Sequence, residues 1–148
     1  MRVLALVLGI LFALALPTQA QAQAQDARHH VVIHVDSPDA EVMTEALHNA
    51  ANLIETLRKE ASTVGIEIVA NGPGISMFID SMSPVKDEVR RIHAAYPDVV
   101  MSACAVSLAH TEDAMKKTLT VLPEARIIPS GAVRIMELEE QHWAYLKP

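Results

Sequence analysis

The 148-residue chain has one cysteine, few aromatic residues and no concentration of positive charge. A single cysteine excludes an internal disulfide bond, so the fold must depend on its hydrophobic core. The 12 Lys and Arg residues are outnumbered by 18 Asp and Glu and form only scattered pairs, which argues against a nucleic-acid partner. Beyond the N-terminal region, no apolar run approaches the roughly 20 residues of a membrane-spanning helix. The sequence therefore predicts a small acidic domain without stable membrane insertion.

The N-terminal region has the pattern of a secretory signal peptide. Arg2 precedes an apolar stretch that ends at Pro17, and two overlapping Ala-Gln-Ala cleavage sites follow. The pattern predicts a cleaved signal peptide at residues 1–24 and one periplasmic or secreted domain at residues 25–148. The alternative is an uncleaved anchor.

Strand-like and helix-like segments alternate along residues 25–148, which is typical of an α/β domain with a mostly parallel sheet. Apolar runs predict strands at 31–35, 66–70, 99–104, 126–128 and 143–146, the last being either an edge strand or a helix tail. Apolar spacings of three and four predict helices after Asp36-Ser37-Pro38, after Ser83-Pro84, from about Thr111 and after Pro129-Ser130-Gly131. Pro38 is expected at the first helical position, and Met115 and Leu119 are expected to face the core. We thus expect about five strands with helices on both faces.

Cys104 ends the third predicted strand. Open α/β sheets bind ligands beyond the carboxyl ends of their strands, and a nearby helix N-terminus favours a thiolate. In an exported protein, a lone thiol is buried, used in chemistry between molecules, or kept reduced by a partner. Two interpretations stay open: a reactive thiolate, or a buried cysteine that packs as a small hydrophobic residue.

Two other strand ends bring candidate binding residues to the same edge of the sheet. The loop Asn71-Gly72-Pro73-Gly74 could bring backbone amides close to an anion or a thiolate, or it is an ordinary strand-to-helix connection. His34 and Asp36 lie on one side of the first strand by alternation. His34 is either a group that assists the thiol or a satisfied core or rim residue. A Cys-His-Asp hydrolase built from Cys104, His34 and Asp36 is a lower-ranked possibility.

The seven histidines and seven methionines raise the question of metal binding. No closely spaced HxxxH or CxxC pair occurs, so we expect no cofactor and no dedicated metal site. Weak capture of copper or zinc by His29 and His30, beside the predicted leader, is the alternative.

Four segments together resemble the DsrE/DsrF-like family, and more narrowly its exported single-domain members: 31–38, 69–75, 99–108 and 123–131. The resemblance extends over nearly all of residues 25–148. It implies a five-stranded α/β domain with helices on both faces, assembled as a homo-trimer or homo-hexamer. In sulfur-relay members, a cysteine at this strand exit accepts persulfide sulfur and hands it on, and that role falls on Cys104. Ala105 stands where close relatives are expected to have glycine, and Met101 where an aromatic residue is frequent.

The resemblance thus implies a periplasmic sulfur carrier, similar to a sulfurtransferase, that loads sulfur on Cys104. Because the chain has no second cysteine, the donor and acceptor must be a partner protein or a small thiol. Whether such a carrier turns over independently as an enzyme is left open. The alternative is a non-catalytic oligomeric module that binds a small ligand or a metal and uses its cysteine structurally.

Overall fold

A computed structural model describes residues 29–148, so the signal peptide predicted at residues 1–24 lies outside the described residues. The described chain forms a five-stranded sheet with strand order β4-β3-β2-β1-β5, and every pairing is parallel. The strands are β1 (His29–Val35), β2 (Val64–Ala70), β3 (Val100–Cys104), β4 (Arg126–Ile128) and β5 (Ala144–Leu146). The helices are α1 (Ala40–Lys59), α2 (Lys86–Ala95), α3 (Ala105–Met115) and α4 (Gly131–Glu140), with a 3₁₀ helix at Gly72–Phe78. The predicted fold class is confirmed, and the last segment is an edge strand.

The strand order decides which face each helix covers. From β1 to β4 the chain moves across the sheet in one direction, and right-handed crossovers place α1 and α2 on one face. The connection from β4 to β5 runs back across the sheet, so α4 lies on the opposite face. The connection after β3 leads to α3 on the larger face and the connection after β4 leads to α4 on the smaller one. The carboxyl ends of β3 and β4 therefore form the topological switch point, where open α/β sheets bind ligands.

The two faces of the sheet have separate hydrophobic cores. On the larger side, Ile33, Ile68 and Met101 belong to one cluster with buried residues of α1, α2 and the 3₁₀ helix. On the smaller side, the cluster consists of five residues from the sheet and α4: Val32, Val69, Ile128, Ile135 and Leu138. Because β1 and β2 are covered on both faces, their sequences are nearly continuous apolar runs rather than alternating ones.

The smaller face also holds a buried ion cluster. The Glu67 carboxylate is 1 % exposed and accepts hydrogen bonds from Ser102 Oγ at 2.6 Å and Arg126 Nη2 at 2.9 Å. Arg134 of α4 donates to the same carboxylate, with Nη2 2.7 Å from Oε2. Burial acts to raise the pKa of Glu67, but the hydrogen bonds from Arg134, Ser102 and Arg126 outweigh it and lower the pKa below its ordinary value. The cluster therefore ties the beginning of α4 to the sheet.

The predicted start of α1 is wrong by two residues. Pro38 precedes the helix instead of taking its first position, and the N-cap is Asp39. The Asp39 carboxylate accepts a hydrogen bond from the Glu41 backbone N–H at 2.8 Å. This side chain satisfies one of the unpaired amides of the first turn. Proline has no side-chain oxygen and cannot do so.

The predicted start of α3 is also wrong, and this difference bears on the site. The helix begins at Ala105, directly after β3, and not near Thr111. None of its residues is buried, so it lacks the apolar stripe from which helices are predicted. Met115 was expected to face the core, but it is 48 % exposed. As a result, Cys104 is the N-cap residue of a helix that sequence patterning does not show.

Gly74 packs directly against the end of β1. A Cβ atom at this position would lie 2.2 Å from the carbonyl oxygen of Val35, well inside contact distance. We expect Gly74→Ala to lower the free energy of unfolding by about 1–3 kcal/mol, because the backbone has to shift to admit a methyl group. Urea denaturation measures the loss.

Gly72→Asn is a matched control in the same turn. Gly72 has φ of +50°, a conformation that asparagine tolerates, and a Cβ atom there meets only the Asp36 carbonyl oxygen at 3.9 Å. An equal loss of stability in both variants would show that close packing at Gly74 is not the cause.

Candidate functional site

Cys104 lies at the junction of β3 and α3, beneath the first turn of α4. Its side chain points to the smaller face of the sheet because Ser102, two residues earlier, bonds to Glu67 on that face. A Cβ atom at Gly131 would lie 3.3 Å from the Cβ of Cys104, so α4 begins directly over the cysteine. Only 3 % of Cys104 is exposed.

The groups around the Cys104 sulfur are mainly hydrogen-bond donors. Burial acts to raise the pKa of the thiol and is the largest single effect. Hydrogen bonds from the Ser107 hydroxyl and from the backbone amides of Gly131, Ser107 and Val106 act in the opposite direction. Together they lower the pKa of Cys104 below its ordinary value. The site thus favours a thiolate, supported by the N-terminal ends of both α3 and α4.

The Asn71-Gly72-Pro73-Gly74 loop reaches the cysteine through Ser107. The Gly72 backbone N–H donates to Ser107 Oγ at 2.8 Å, and the Ser107 hydroxyl in turn interacts with the sulfur. Pro73 supplies a carbonyl that accepts from Ser76 Oγ at 3.0 Å, and Gly74 packs against β1. The loop therefore supports the site mainly through one amide and the Asn71 side chain.

His34 lies in a chain of three hydrogen-bonded side chains. Its Nδ1 is 2.7 Å from the hydroxyl oxygen of Tyr145, and its Nε2 is 2.8 Å from Oδ1 of Asn71. Asn71 connects this chain to the surroundings of the cysteine through Gly131. A Cβ atom added at Gly131 would lie 2.8 Å from the Cβ of Asn71 and 3.3 Å from the Cβ of Cys104. Both ring nitrogens of His34 are thus occupied by partners other than Cys104.

Asp36 is directed away from this chain. Its Oδ2 is 2.6 Å from Lys147 Nζ, and the hydrogen bond with Lys147 is the main cause of its lowered pKa. Since His34 is bonded to Tyr145 and Asn71, the Cys-His-Asp hydrolase considered from the sequence does not assemble here.

Sequence patterning missed Ser107, Gly131 and Tyr145. Ser107 is in the first turn of a helix that lacks an apolar stripe, so no pattern marked it as close to Cys104. Gly131 and Tyr145 meet the site only because the chain reverses direction after β4. The Ser130-Gly131 helix start was itself visible in the sequence, and Ser130 caps α4 by accepting from the Val133 backbone N–H.

A cleft of about 350 Å³ opens between the ends of β1 and β5, beside α4. It is lined by six residues: His34, Asn71, Ala132, Ile135, Glu139 and Tyr145. Cys104 is not among the lining residues, but Asn71 and Ala132 border Gly131, which covers it. The cleft therefore adjoins the surroundings of the thiol.

Within residues 29–148, no group of three or more His, Cys, Asp or Glu side chains is placed to hold a metal ion. No helix in that range combines the length and the hydropathy needed to cross a bilayer.

No family model and no curated protein matches the chain. Among solved structures, the fold is similar to that of a protein of unknown function, MTH1491 from Methanobacterium thermoautotrophicum. The two align with a TM-score of 0.68 and 24% sequence identity over 81% of this chain and 99% of that chain. A likeness at this level of identity shows a shared fold and leaves the function to be argued from the site.

Proposed function

We propose that the protein is an exported sulfur carrier of the DsrE/DsrF-like type that accepts persulfide sulfur on Cys104. The observation that supports this most is the position of Cys104, which is the N-cap residue of α3 and lies against Gly131 at the start of α4. The Ser107 hydroxyl and the Gly131 amide are therefore close to the thiol, and both lower its pKa. Two separate chain segments contribute hydrogen bonds that lower the pKa of the thiol. A thiolate is the nucleophilic form of cysteine, which sulfur transfer requires.

The transfer is an exchange in which no net oxidation occurs. The Cys104 thiolate attacks the outer sulfur of a persulfide, R–S–SH. A new S–S bond forms to Cys104, the S–S bond of the donor breaks, and the donor leaves as the thiolate R–S⁻. The chain has no second cysteine to resolve the product, so an acceptor thiol of another molecule must attack the bound sulfur next.

The first turn of α4 controls access in this proposal. Cys104 is 3 % exposed and Gly131 lies over it, so loading requires the Ser130–Gly131 segment to move aside. The same burial favours the second candidate function, a non-catalytic module in which Cys104 is a packed residue. The two candidates differ in whether the thiol reacts as a thiolate.

Assembly as a homo-oligomer is part of the proposal. Val133 and Met136, which lie three residues apart on α4, are 48 % and 51 % exposed. Exposed apolar side chains that lie together on a surface commonly mark a protein interface. We propose a trimer or hexamer, which sedimentation would distinguish from a monomer.

Alkylation of Cys104 with iodoacetamide across pH 5–10 tests the proposed function. We expect the rate to follow a thiolate that titrates below about 8.5, the value of a free cysteine. Treatment with a small persulfide should then add about 32 Da to the intact mass, and reduction should remove it. The Cys104→Ser variant is the control and should show neither change. Slow alkylation at every pH, together with an unmodified mass, would leave the binding module as the better account.

A further inference from the structure

Gly131, the first residue of α4, lies close both to Cys104 and to Asn71, which lines the cleft between β1 and β5. A Cβ atom at Gly131 would lie 2.8 Å from the Cβ of Asn71 and 3.3 Å from the Cβ of Cys104. Asn71 lines the cleft on one side of this glycine, and Ala132 follows it in sequence. A molecule held in the cleft would therefore lie next to the segment that must move to expose the sulfur.

The hydrogen bonds of His34 fix the orientation of the Asn71 amide. Asn71 Oδ1 can only accept, so His34 Nε2 carries the hydrogen between them. In the neutral imidazole, Nδ1 then accepts from the Tyr145 hydroxyl. With its oxygen committed to His34, Asn71 presents Nδ2 toward Gly131, 3.3 Å from where a Cβ atom would lie. No hydrogen bond within residues 29–148 uses this NH₂ group.

We propose that this cleft binds the organic part of a small amino-thiol persulfide and that Asn71 Nδ2 donates a hydrogen bond to a sulfur atom of the bound molecule. Tyr145 and His34 are positioning residues that hold the Asn71 amide, so His34 does not act as a base toward Cys104. The proposal rests on the sulfur-carrier function proposed above and specifies its substrate class.

The size and charge of the cleft define that substrate class. A volume of about 350 Å³ is near the lower end for small-molecule sites and suits a molecule of amino-acid size. Glu139 is the one carboxylate among the six lining residues, and none of the six is Lys or Arg. A donor with an ammonium group is therefore favoured over one with a carboxylate.

Two donors of similar size test the charge preference. Cysteamine persulfide carries an ammonium group, and 3-mercaptopropionate persulfide carries a carboxylate. Because the two leaving thiols differ in basicity, each loading rate is divided by the rate at which the same donor transfers sulfur to free N-acetylcysteine. On this scale we expect cysteamine persulfide to load Cys104 about fivefold faster, as measured by intact mass over time, and we expect Glu139→Gln to remove most of this difference. Equal loading of the wild type by both donors would overturn the assignment of the amino-thiol class.

Filling the cleft tests whether it is the binding site. Ala132→Leu should slow loading from cysteamine persulfide about fivefold, because the added side chain occupies the cleft. Alkylation by iodoacetamide, a small neutral reagent, should be unchanged. Ala114→Leu is the matched control, since Ala114 is exposed on α3 and does not line this cleft. The proposal would be contradicted if Ala132→Leu loads sulfur at the wild-type rate. It would also be contradicted if alkylation of this variant slows as much as loading does.

The positioning role has its own signature in Tyr145→Phe. Nitrogen NMR of the wild type should show the His34 tautomer with hydrogen on Nε2, and loss of the Tyr145 hydroxyl should shift this ring toward a mixture of tautomers. Loading should fall about threefold while alkylation stays unchanged, as expected for the loss of one supporting hydrogen bond. A wild-type ring with hydrogen on Nδ1 alone would overturn the positioning role.

Binding can be measured separately from sulfur transfer. Cysteamine, the thiol that the donor releases, is titrated into the Cys104→Ser variant and followed by NMR. Saturable shifts of the Asn71 side-chain amide signals would show that cysteamine binds in the cleft, even if the wild type never gains sulfur. The shifts should be absent in the double variant Cys104→Ser/Ala132→Leu. Loading without any effect at the cleft would refute the cleft and leave the carrier function standing.

Discussion

Replacing Arg134 with methionine should lower the free energy of unfolding by about 3–5 kcal/mol, the usual cost of removing one partner from a buried ion pair. Glu67 is 1 % exposed, and Arg134 donates to both of its oxygens. Without Arg134, the carboxylate keeps only Ser102 and Arg126, and Arg126 is itself half exposed. Chemical denaturation of the two proteins measures the difference.

The double variant Glu67→Met/Arg134→Met separates the cost of an unpaired charge from the cost of lost packing. Burying two apolar side chains in place of an ion pair is often neutral or stabilising. We therefore expect the double variant to recover most of the stability that Arg134→Met loses. If the double variant is as unstable as the single one, the cluster acts through its packing.

The pH dependence of stability gives a second measure of the same cluster. Because the folded-state pKa of Glu67 is lowered, its contribution is fully present above the pKa of the unfolded chain, near 4.3 for glutamate. It is lost as the pH falls through the lower folded-state value. Wild-type stability should therefore decline in acid more steeply than that of the double variant, which lacks this carboxylate.

The sheet was predictable because its strands are marked by their own residues. β1 and β2 are buried on both faces, so each appears in the sequence as an apolar run bounded by turn residues. The start of α3 was not predictable, because none of its side chains is buried and it has no apolar stripe. The sequence around Cys104 therefore does not reveal which residues contact it.

The candidate site was predictable only in part, for a reason of topology. Cys104, Asn71 and His34 each lie at the end of a strand, and strand ends are visible in the sequence. Gly131 and Tyr145 reach the same place because the last connection runs back across the sheet. Strand order is a property of the whole chain, so no local pattern brings these residues to the cysteine.

Ser107→Ala should slow alkylation of Cys104 at pH 6 by about tenfold. The Ser107 hydroxyl is the strongest of the groups that lower the pKa of the thiol, and a hydrogen bond to a charged group is worth about 1.5–3 kcal/mol. Its loss raises the pKa and reduces the thiolate fraction. The remaining thiolate is a stronger nucleophile, which recovers roughly half of the effect on a logarithmic scale.

The form of the pH profile decides whether Ser107 acts through ionisation. Above the pKa of both thiols each cysteine is fully ionised, so the deficit of Ser107→Ala should disappear at high pH and then reverse, because its more basic thiolate is the stronger nucleophile. Thr111→Val is the matched control, because Thr111 Oγ1 donates to the Ser107 carbonyl one turn further along α3 and has no part in the pKa shift of Cys104. A constant ratio of rates at every pH, or an equal effect of Thr111→Val, would mean that these changes alter access to Cys104 rather than its ionisation. In that case Ser107 would not stabilise the Cys104 thiolate, and the proposed carrier function would lose its main support.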